Sequence, residues 1–381
     1  MKTMERILRL MAERKASDVY LSAHSPAMMR IDGQCVPINT QVLPSGAPLI
    51  LLSEVVPPGR IEELEHTGEL NTAFPMEGVG NFRISAMRQR GSYAVVVRYI
   101  ASVIPSLEEL HLPEVLKTLV MEKRGLILMV GATGAGKSST LASMLDYRNA
   151  NASGHILTVE EPIEFTFTNK KSVVNQRDVG SDTESLQVAL KNALRQAPDV
   201  IQIGEIRDRD TMTAAITYAQ SGHLCLATLH ANNAYRALNR ILGFYPVEVR
   251  PTLLGDLAAS LRAVVAQRLL RTPQGPRVPA LEVMLNTTLI SELIEKGDFS
   301  GVKEAMEKSM AEGSQTFEED IARMILGNRV EREEGLSQAD SPTNLLWRLQ
   351  NHNQPVDRTQ HPPVDPNEAP SFSEISLDVR F

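Results

Sequence analysis

Short strand-like runs separated by turns dominate the first hundred residues of the chain. A helix precedes them, because Met4, Ile7, Leu8 and Met11 recur at a spacing that puts them on one helical face. The strand-like runs cover residues 18–21, 27–31, 82–86 and 93–98. Short runs of this kind, bounded by turns, are typical of an antiparallel sheet. We therefore predict a small α+β domain over residues 1–100.

The pattern changes around Pro105 and Pro113, which favour an interdomain linker over residues 101–113. From residue 114 to about 270, apolar runs alternate with helical patterns. The runs predict strands at residues 126–130, 155–159, 200–204 and 224–229. This alternation predicts a parallel sheet whose ligands bind at the carboxyl ends of the strands. A mostly helical continuation completes an α/β domain over residues 114–350.

The end of the chain has a different composition. Residues 355–370 contain five prolines among polar and charged neighbours. A segment with so little apolar surface cannot bury enough of it to order itself. We predict a disordered tail over residues 351–381.

Composition narrows the class of protein. Of 381 residues, 43% are hydrophobic and 22% charged, and no apolar run approaches the ~18 residues that a membrane span requires. The two cysteines, Cys35 and Cys225, are far apart, which fits a reducing cytoplasm, excludes an all-cysteine zinc site and predicts two core residues. The net charge of -7 gives no basic nucleic-acid footprint, so we expect no nucleic-acid partner and only indirect membrane contact.

Residues 131–138 read GATGAGKS, the phosphate-loop pattern of nucleoside triphosphate binders. An apolar run at 126–130 precedes the pattern and a predicted helix at 137–148 follows it, so the loop opens a helix N-terminus. In this pattern the lysine neutralises phosphate charge and the serine ligates Mg²⁺. The predicted nucleotide-binding residues are Thr133, Gly134, Ala135, Gly136, Lys137, Ser138 and Ser139. The predicted ligands are ATP and Mg²⁺, with Ser138 on the metal.

A second motif, DVIQIGE at residues 199–205, is an apolar strand that ends in an acid. Phosphate-loop ATPases use such an acid on the Mg²⁺ side of the site. Asp199 cannot serve, because five strand residues put it roughly 17 Å from the active end. We assign Glu205 beside the metal, although it could instead begin a solvated loop.

A third motif, TVEEPIE at residues 158–164, places three carboxylates after a predicted strand. Hydrolysis needs a carboxylate that orients and deprotonates the attacking water. We choose Glu164 as this general base. Glu160 and Glu161 could serve the metal, hold the loop or be solvated.

Two histidines bracket the predicted strand in GHLCLATLH, residues 222–230. An extended strand would hold His223 and His230 roughly 23 Å apart, so they cannot share a metal ion. His230, at the carboxyl end, could sense the γ-phosphate or be a core residue.

Together the four segments resemble the Walker A, Asp-box, Walker B and His-box motifs of the secretion-superfamily ATPases. The resemblance covers residues 1 to about 350. It implies a RecA-like ATPase domain behind a PAS-like N-terminal domain. It also implies a hexameric ring with nucleotide held between the N-terminal domain of one subunit and the ATPase domain of the next. In that family Glu164 is the base, Glu205 supports the metal, and His223 and His230 are functional.

Arg83 and Arg98 lie where this family's N-terminal domain supplies arginines across the subunit interface. Such a guanidinium stabilises transition-state charge on the γ-phosphate. Either could instead be a surface arginine of a strand. Arg195 and Arg207, inside the ATPase motifs, are secondary candidates.

Within the superfamily, ASDVYLS at 16–22 and MRIDG at 29–33 resemble type IV pilus retraction motors. The segments at 189–199 and 224–233 and the polar extension are similar to PilU rather than PilT. PilT motors carry an Ala-Ile-Arg-Asn-Leu-Ile-Arg-Glu segment, whereas residues 289–296 here read LISELIEK without its arginines. The resemblance thus implies an accessory motor that acts with a PilT-like ATPase and an inner-membrane platform protein, from the cytoplasmic side.

Three rival functions are weighed against this one. Extension ATPases of pilus or type II secretion assembly usually carry a four-cysteine zinc element and a longer N-terminal region, and this chain has only two cysteines. A DNA-translocating ATPase is disfavoured by the charge distribution. The third rival is a ring protein that binds ATP as a structural ligand and hydrolyses little of it.

Overall fold

A computed structural model describes residues 2–31, 34–100, 103–308 and 311–351. Two separate sheets, one of six strands and one of seven, organise the chain. The predicted tail lies outside the described residues from 352 onward, as do residues 101 and 102 of the predicted linker. None of the helices in the described ranges is long and apolar enough to cross a membrane.

The first sheet is antiparallel throughout, with the strand order β3-β2-β1-β6-β5-β4. Met4, Leu8 and Met11 are fully buried, so the predicted amphipathic helix packs on this sheet by its apolar face. The strands at 34–42 and 69–76 had no clear sequence signal, because they are the outer strands and mostly exposed. The elements are α1 Thr3–Glu13, β1 Asp18–Ser22, β2 Pro26–Ile31, β3 Gln34–Val42, α2 Ala47–Ser53, α3 Pro58–Thr67, β4 Glu69–Met76, β5 Gly80–Gln89 and β6 Ser92–Ile100.

A row of charged side chains crosses the first sheet. Asp18 on β1 lies opposite Arg30 on β2 and Arg98 on β6, and Arg98 lies opposite Arg83 on β5. Asp18 is buried, and its Oδ1 accepts a hydrogen bond of 2.9 Å from Arg98 Nε. Sheet register therefore brings the two predicted arginines side by side.

The second sheet has the order β13-β12-β7-β11-β10-β8-β9, and every pair except β12 with β13 is parallel. The predicted parallel α/β sheet is confirmed. Its elements are α4 Val115–Val120, β7 Gly125–Val130, α5 Lys137–Asn151, β8 Gly154–Glu160, β9 Ser172–Asp178, α6 Leu186–Ala193, β10 Val200–Ile203, α7 Arg209–Gln220, β11 Leu224–Leu229, α8 Ala234–Gly243, α9 Arg250–Ser260, β12 Leu261–Arg271, β13 Arg277–Leu285, α10 Thr288–Lys296, α11 Phe299–Glu307, α12 Phe317–Leu326, α13 Arg332–Gln338 and α14 Pro342–Asn351.

Two expectations fail here. The helical continuation begins only after residue 285, because residues 261–285 form the hairpin β12–β13, and β12 pairs with the central strand β7. A buried apolar run does not reveal by periodicity whether it is helix or strand. Cys225 is buried as predicted, but Cys35 is exposed, because it lies on the outer strand β3.

The four predicted strands end at one edge of the second sheet. Val130 lies beside Leu229, and Ile203 lies beside Val159, so β7, β11, β10 and β8 finish level with one another. The segments that follow these strands carry all four motifs. The sheet therefore gathers them at a single edge, where parallel α/β folds bind ligands.

Candidate active site

The phosphate loop connects β7 to the N-terminus of α5 and fits closely against β12. Gly136 has φ +85°, and a Cβ there would lie 2.7 Å from Gln267 Nε2. At Gly131 a Cβ would lie 2.6 Å from the Gln267 carbonyl oxygen. These two positions admit only glycine, because a side chain would collide with β12 and Gly136 also needs a left-handed backbone.

Gln267 is a site residue that the sequence pattern did not reveal. It is fully buried, its Oε1 accepts from Thr140 Oγ1 at 2.8 Å, and its Nε2 donates to the Ala135 carbonyl at 2.8 Å. Both partners belong to the phosphate loop or its helix. The available signal was an amide inside the apolar run 263–270, which needs a buried hydrogen-bond partner.

Lys137 is turned onto the phosphate loop itself. Its Nζ donates to the carbonyl oxygens of Gly131 at 2.8 Å and Ala132 at 2.9 Å. Burial lowers the pKa of the Lys137 ammonium, and the nearby charges of Glu205 and Glu164 oppose that shift. The ammonium therefore contacts the loop and lies within electrostatic range of both predicted acids.

Glu205 is held by two side chains, those of His230 and Arg207. His230 Nε2 lies 2.9 Å from Glu205 Oε1, and Arg207 Nε donates to Glu205 Oε2 at 2.7 Å. Arg207 also donates to Glu161 Oε2 at 3.0 Å. Arg207 thus joins the acids of two motifs. As predicted, Asp199 lies at the opposite end of β10, where it accepts a hydrogen bond from the backbone of His155.

Glu164 lies on the segment that follows β8, which we call the base loop and define as residues 161–167. The Glu164 side chain is exposed to the cavity described below. Glu160, at the end of β8, is buried and accepts a hydrogen bond of 2.7 Å from Thr158 Oγ1. Burial raises the pKa of Glu160 to about 7. Of the alternatives left open for Glu160, these contacts favour holding the loop.

The motifs surround a cavity of about 820 Å³, within the size range of nucleotide and cofactor sites. It lies at the carboxyl edge of the second sheet and reaches the first sheet at Arg98. The predicted residues that line it are Thr133, Gly134, Ala135, Gly136, Lys137, Ser138, Ser139, Glu164, Glu205, His230 and Arg98. The fold thus brings most of the predicted site together within one chain.

Two predicted residues do not line this cavity. Arg83 lies beside Arg98 in the first sheet, and its charge acts on the carboxyl of Asp178 on β9. His223 lies at the opposite end of β11, where its backbone carbonyl accepts from Gly125. Because the structure contains a single chain, contacts of Arg83 or Arg98 with a neighbouring subunit remain a prediction.

Several cavity residues had no place in the sequence analysis. Arg277 and Leu269 come from the β12–β13 hairpin, whose strands were not predicted. Asp208 and Thr211 come from the start of α7, where Asp208 Oδ1 caps the helix by accepting from Thr211 N at 2.8 Å. Arg277 begins β13 and pairs with Arg271 at the end of β12, so its place at the cavity depends on this hairpin.

The donor set fits Mg²⁺ bound mainly through substrate phosphates. Ser138 offers a hydroxyl and Glu205 a carboxylate, both hard oxygen ligands. Among the described residues, no group of three or more His, Cys, Asp and Glu side chains could form a metal site by itself. Mg²⁺ commonly keeps its waters and uses one or two protein ligands plus phosphates, and these two residues match that pattern.

A phosphate loop that opens α5, an acid after β10, which β11 separates from β7, and a carboxylate after β8 define a RecA-like phosphate-loop ATPase. A sequence profile of the type II/IV secretion system proteins matches residues 2–319. The chain belongs to this family, among the ATPases of PilT and PilU type.

Individual relatives agree over nearly their whole lengths. The type IV pilus ATPase PilU of Pseudomonas aeruginosa is 44% identical over 342 residues, which is 90% of this chain and 90% of that protein. The type IV pilus retraction ATPase PilT of the same organism is 36% identical, over 89% of this chain and 98% of that protein. The crystal structure of the pilus retraction motor PilT with bound ADP superimposes with a TM-score of 0.84 at 36% identity, covering 90% of this chain and 98% of that one.

The segment after His230 is tied to the C-terminal helices. Asn233 caps α8, and its Nδ2 donates to Asp340 Oδ2 at 2.7 Å. Arg268 pairs with the same Asp340 carboxylate and donates to the Asn232 carbonyl at 3.1 Å. Its guanidinium lies 4.0 Å from the ring centroid of Phe317. The segment after His230 is therefore held by residues that lie more than 30 positions further along the chain.

Glu282 at this junction gives a prediction about pH. Burial raises the pKa of Glu282 to about 7. The charges of Asp340 and Glu318 also raise it, whereas the hydrogen bond from Ala234 N–H and the charge of Arg268 lower it. Folding therefore takes up a proton between about pH 4.5 and 7, and stability falls as pH rises through that window, by at most about 3 kcal/mol for this group. We expect Glu282→Gln to melt near the wild-type temperature at pH 5 and above it at pH 8.

Thermal melting of both proteins at the two pH values measures this difference. Glutamine can still accept the Ala234 hydrogen bond, so the variant removes the ionisation and keeps the contact. Equal melting temperatures of the two proteins at pH 8 would contradict the raised pKa of Glu282.

Proposed function

We propose that this chain is a Mg²⁺-dependent, ring-forming motor that hydrolyses ATP to drive type IV pilus retraction and twitching motility. The observation that carries the proposal is the convergence of Lys137, Glu205 and Glu164 on one cavity. The similarity to PilU and PilT, both named as type IV pilus ATPases, supports the pilus as the object of the motor.

In the proposed reaction the phosphate loop holds the β- and γ-phosphates, and Lys137 neutralises part of their charge. Glu164 accepts a proton from water as the water oxygen attacks the γ-phosphorus. The bond from that phosphorus to the β,γ-bridging oxygen breaks, which leaves ADP and phosphate. Arg98, whose side chain is 62% exposed and held at Nε by Asp18, keeps its terminal nitrogens for the transition-state charge.

Mg²⁺ would supply Lewis-acid stabilisation of the phosphates, with Ser138 and Glu205 as its protein contacts. Both Glu205 oxygens already have protein partners, His230 and Arg207. Glu205 would therefore contact the metal through a metal-bound water and keep both of these partners. His230 would then sense the bound nucleotide through its contact with the Glu205 carboxylate.

We further propose a homohexamer in which a neighbouring subunit completes the site. Arg83 is the main candidate for that contact, since it lies outside its own chain's cavity. His223 also lies away from the cavity, so its proposed role depends on contacts beyond this chain. We propose that residues 101–113 form the linker that positions the N-terminal domain relative to the ATPase domain.

We propose an accessory role beside a PilT-like ATPase. The support comes from α10, which occupies the segment where PilT motors carry two arginines. Glu292 and Glu295 are exposed on this helix, together with Leu289, which is 55% exposed. Its surface charge is thus acidic where PilT is basic. The proposed site of action is the cytoplasmic face of the inner membrane, through a pilus platform protein.

Retraction of fluorescently labelled pili against a load tests this role. We expect deletion of the gene to reduce retraction under high load and twitching, and deletion of the PilT-like partner to reduce retraction at any load. Re-expression of the wild-type gene should restore both. Unchanged retraction and motility after deletion of this gene would refute the motor function.

A further inference from the structure

The base loop is held mainly by side chains rather than by regular backbone pairing. It lies between β8 and β9, two strands that pair directly with each other. Ile163 N donates to Asp178 Oδ2 at 3.3 Å, and the Glu164 backbone N–H lies against the Glu160 carboxylate. A loop tethered in this way depends on each tether for the position of its side chains.

Gln176, in the second half of β9, provides the closest tether. Its Nε2 donates to the Phe165 carbonyl at 2.7 Å, and its Oε1 accepts from Phe167 N at 2.9 Å. The amide thus binds the backbone on both sides of Thr166, as a neighbouring strand would. The same Nε2 lies 3.4 Å from Glu160 Oε1, and this carboxylate is the one that contacts the Glu164 backbone N–H.

The bound backbone groups are adjacent to the proposed catalytic carboxylate. The Phe165 carbonyl is in the residue that directly follows Glu164, so the contact fixes the chain one residue from the base. Each such hydrogen bond contributes about 1 kcal/mol to stability, which is modest. Its effect on geometry is larger, because a shift of about 1 Å in a catalytic group can cost about 100-fold in rate.

We propose that Gln176 is a positioning residue for hydrolysis, which acts by fixing the Glu164 carboxylate above the phosphate loop. The inference rests on the proposed function, because it assigns Glu164 as the base. Gln176 does not line the nucleotide cavity, and it belongs to β9, an edge strand that β11, β10 and β8 separate from β7. Loss of its amide should therefore affect the chemical step and leave nucleotide binding unchanged.

The neighbouring Asn175 offers a matched control. It is also an amide on β9, but its Nδ2 contacts His155 Nε2 at 3.0 Å rather than the base loop. Asn175→Ala removes a side-chain amide from the same strand without touching the loop. A general weakening of β9 would appear in both variants, whereas a positioning effect appears only in Gln176→Ala.

Steady-state ATP hydrolysis by the full-length chain tests the proposal. We expect Gln176→Ala to lower kcat about 10- to 100-fold with KM within about twofold, and Asn175→Ala to match the wild type. Gln176→Glu keeps the shape but loses the donor to Phe165, so it should also lower kcat. Wild-type kcat in both Gln176 variants, or a rise in KM alone, would overturn the proposal.

A double-mutant cycle separates this proposal from the assignment of the base. If Gln176 acts through Glu164, adding Gln176→Ala to Glu164→Gln should lower kcat less than about twofold further. Effects that multiply would show that Gln176 acts elsewhere and refute the positioning role. Full activity of Glu164→Gln alone would refute the base assignment, a result that the Gln176 variants cannot produce.

Discussion

Glu164→Gln is expected to lower kcat for ATP hydrolysis about 10²- to 10⁴-fold with little change in KM. Glutamine fills the same space and leaves the phosphate loop untouched, but it cannot accept a proton from the attacking water. Glu164 is exposed to the cavity and its charge acts on the Lys137 ammonium, so it lies near the place where the γ-phosphate would bind. Phosphate release over time, at several ATP concentrations, gives both constants.

Glu161→Gln is the matched control, because Glu161 is a second base-loop carboxylate that lines the same cavity. Its side chain pairs with Arg207, so we expect a loss of less than about tenfold. Equal losses in the two variants would mean that the loop needs negative charge rather than one proton acceptor. Near-normal activity of Glu164→Gln would contradict its role as base.

Lys137→Ala is expected to abolish nucleotide binding and to lower kcat/KM by about 10³-fold or more. The ammonium is the phosphate-loop cation, and it is held 2.8 Å from the Gly131 carbonyl at the mouth of the loop. Alanine removes that charge and leaves the loop glycines in place. Titration with a fluorescent ATP analogue measures binding separately from turnover.

Lys191→Ala, on the exposed face of α6, controls for the loss of a lysine and should behave as the wild type. Native mass spectrometry of both variants without nucleotide checks that the proposed hexamer is retained. If Lys137→Ala hydrolysed ATP as fast as the wild type, the cavity would not be the site of hydrolysis. The structural-ligand hypothesis would then be favoured.

The strands that carry motifs were predictable, whereas the strand that supports them was not. Residues 126–130 and 224–229 are short apolar runs between turn signals, and they are strands in the structure. Residues 261–285 contain equally apolar runs, but they form the β12–β13 hairpin, whose strands were not predicted and whose second half falls in the segment expected to be mostly helical. Periodicity does not separate the two states in fully buried segments, and only pairing with β7 decides between them.

For the site, the sequence identified the groups that perform chemistry but not those that hold them. Glu164, Glu205 and Lys137 belong to motifs whose spacing has a chemical reason. Gln176 and Gln267 are single amides in strands with no such spacing. Their roles come from contacts with segments more than five positions away, and for Gln267 more than 120 positions away, which no local pattern records.

The sequence by itself determined that this chain has a nucleoside triphosphate site and predicted hydrolysis there, because the phosphate loop and the acids after the strands are local patterns. It also indicated an α+β unit followed by a parallel sheet. Only the tertiary structure decided which acids meet, since the ends of β7, β8, β10 and β11 align through sheet register. It also put Arg98 on the cavity wall and gave Gln176 its place behind Glu164, because such contacts depend on how distant segments pack.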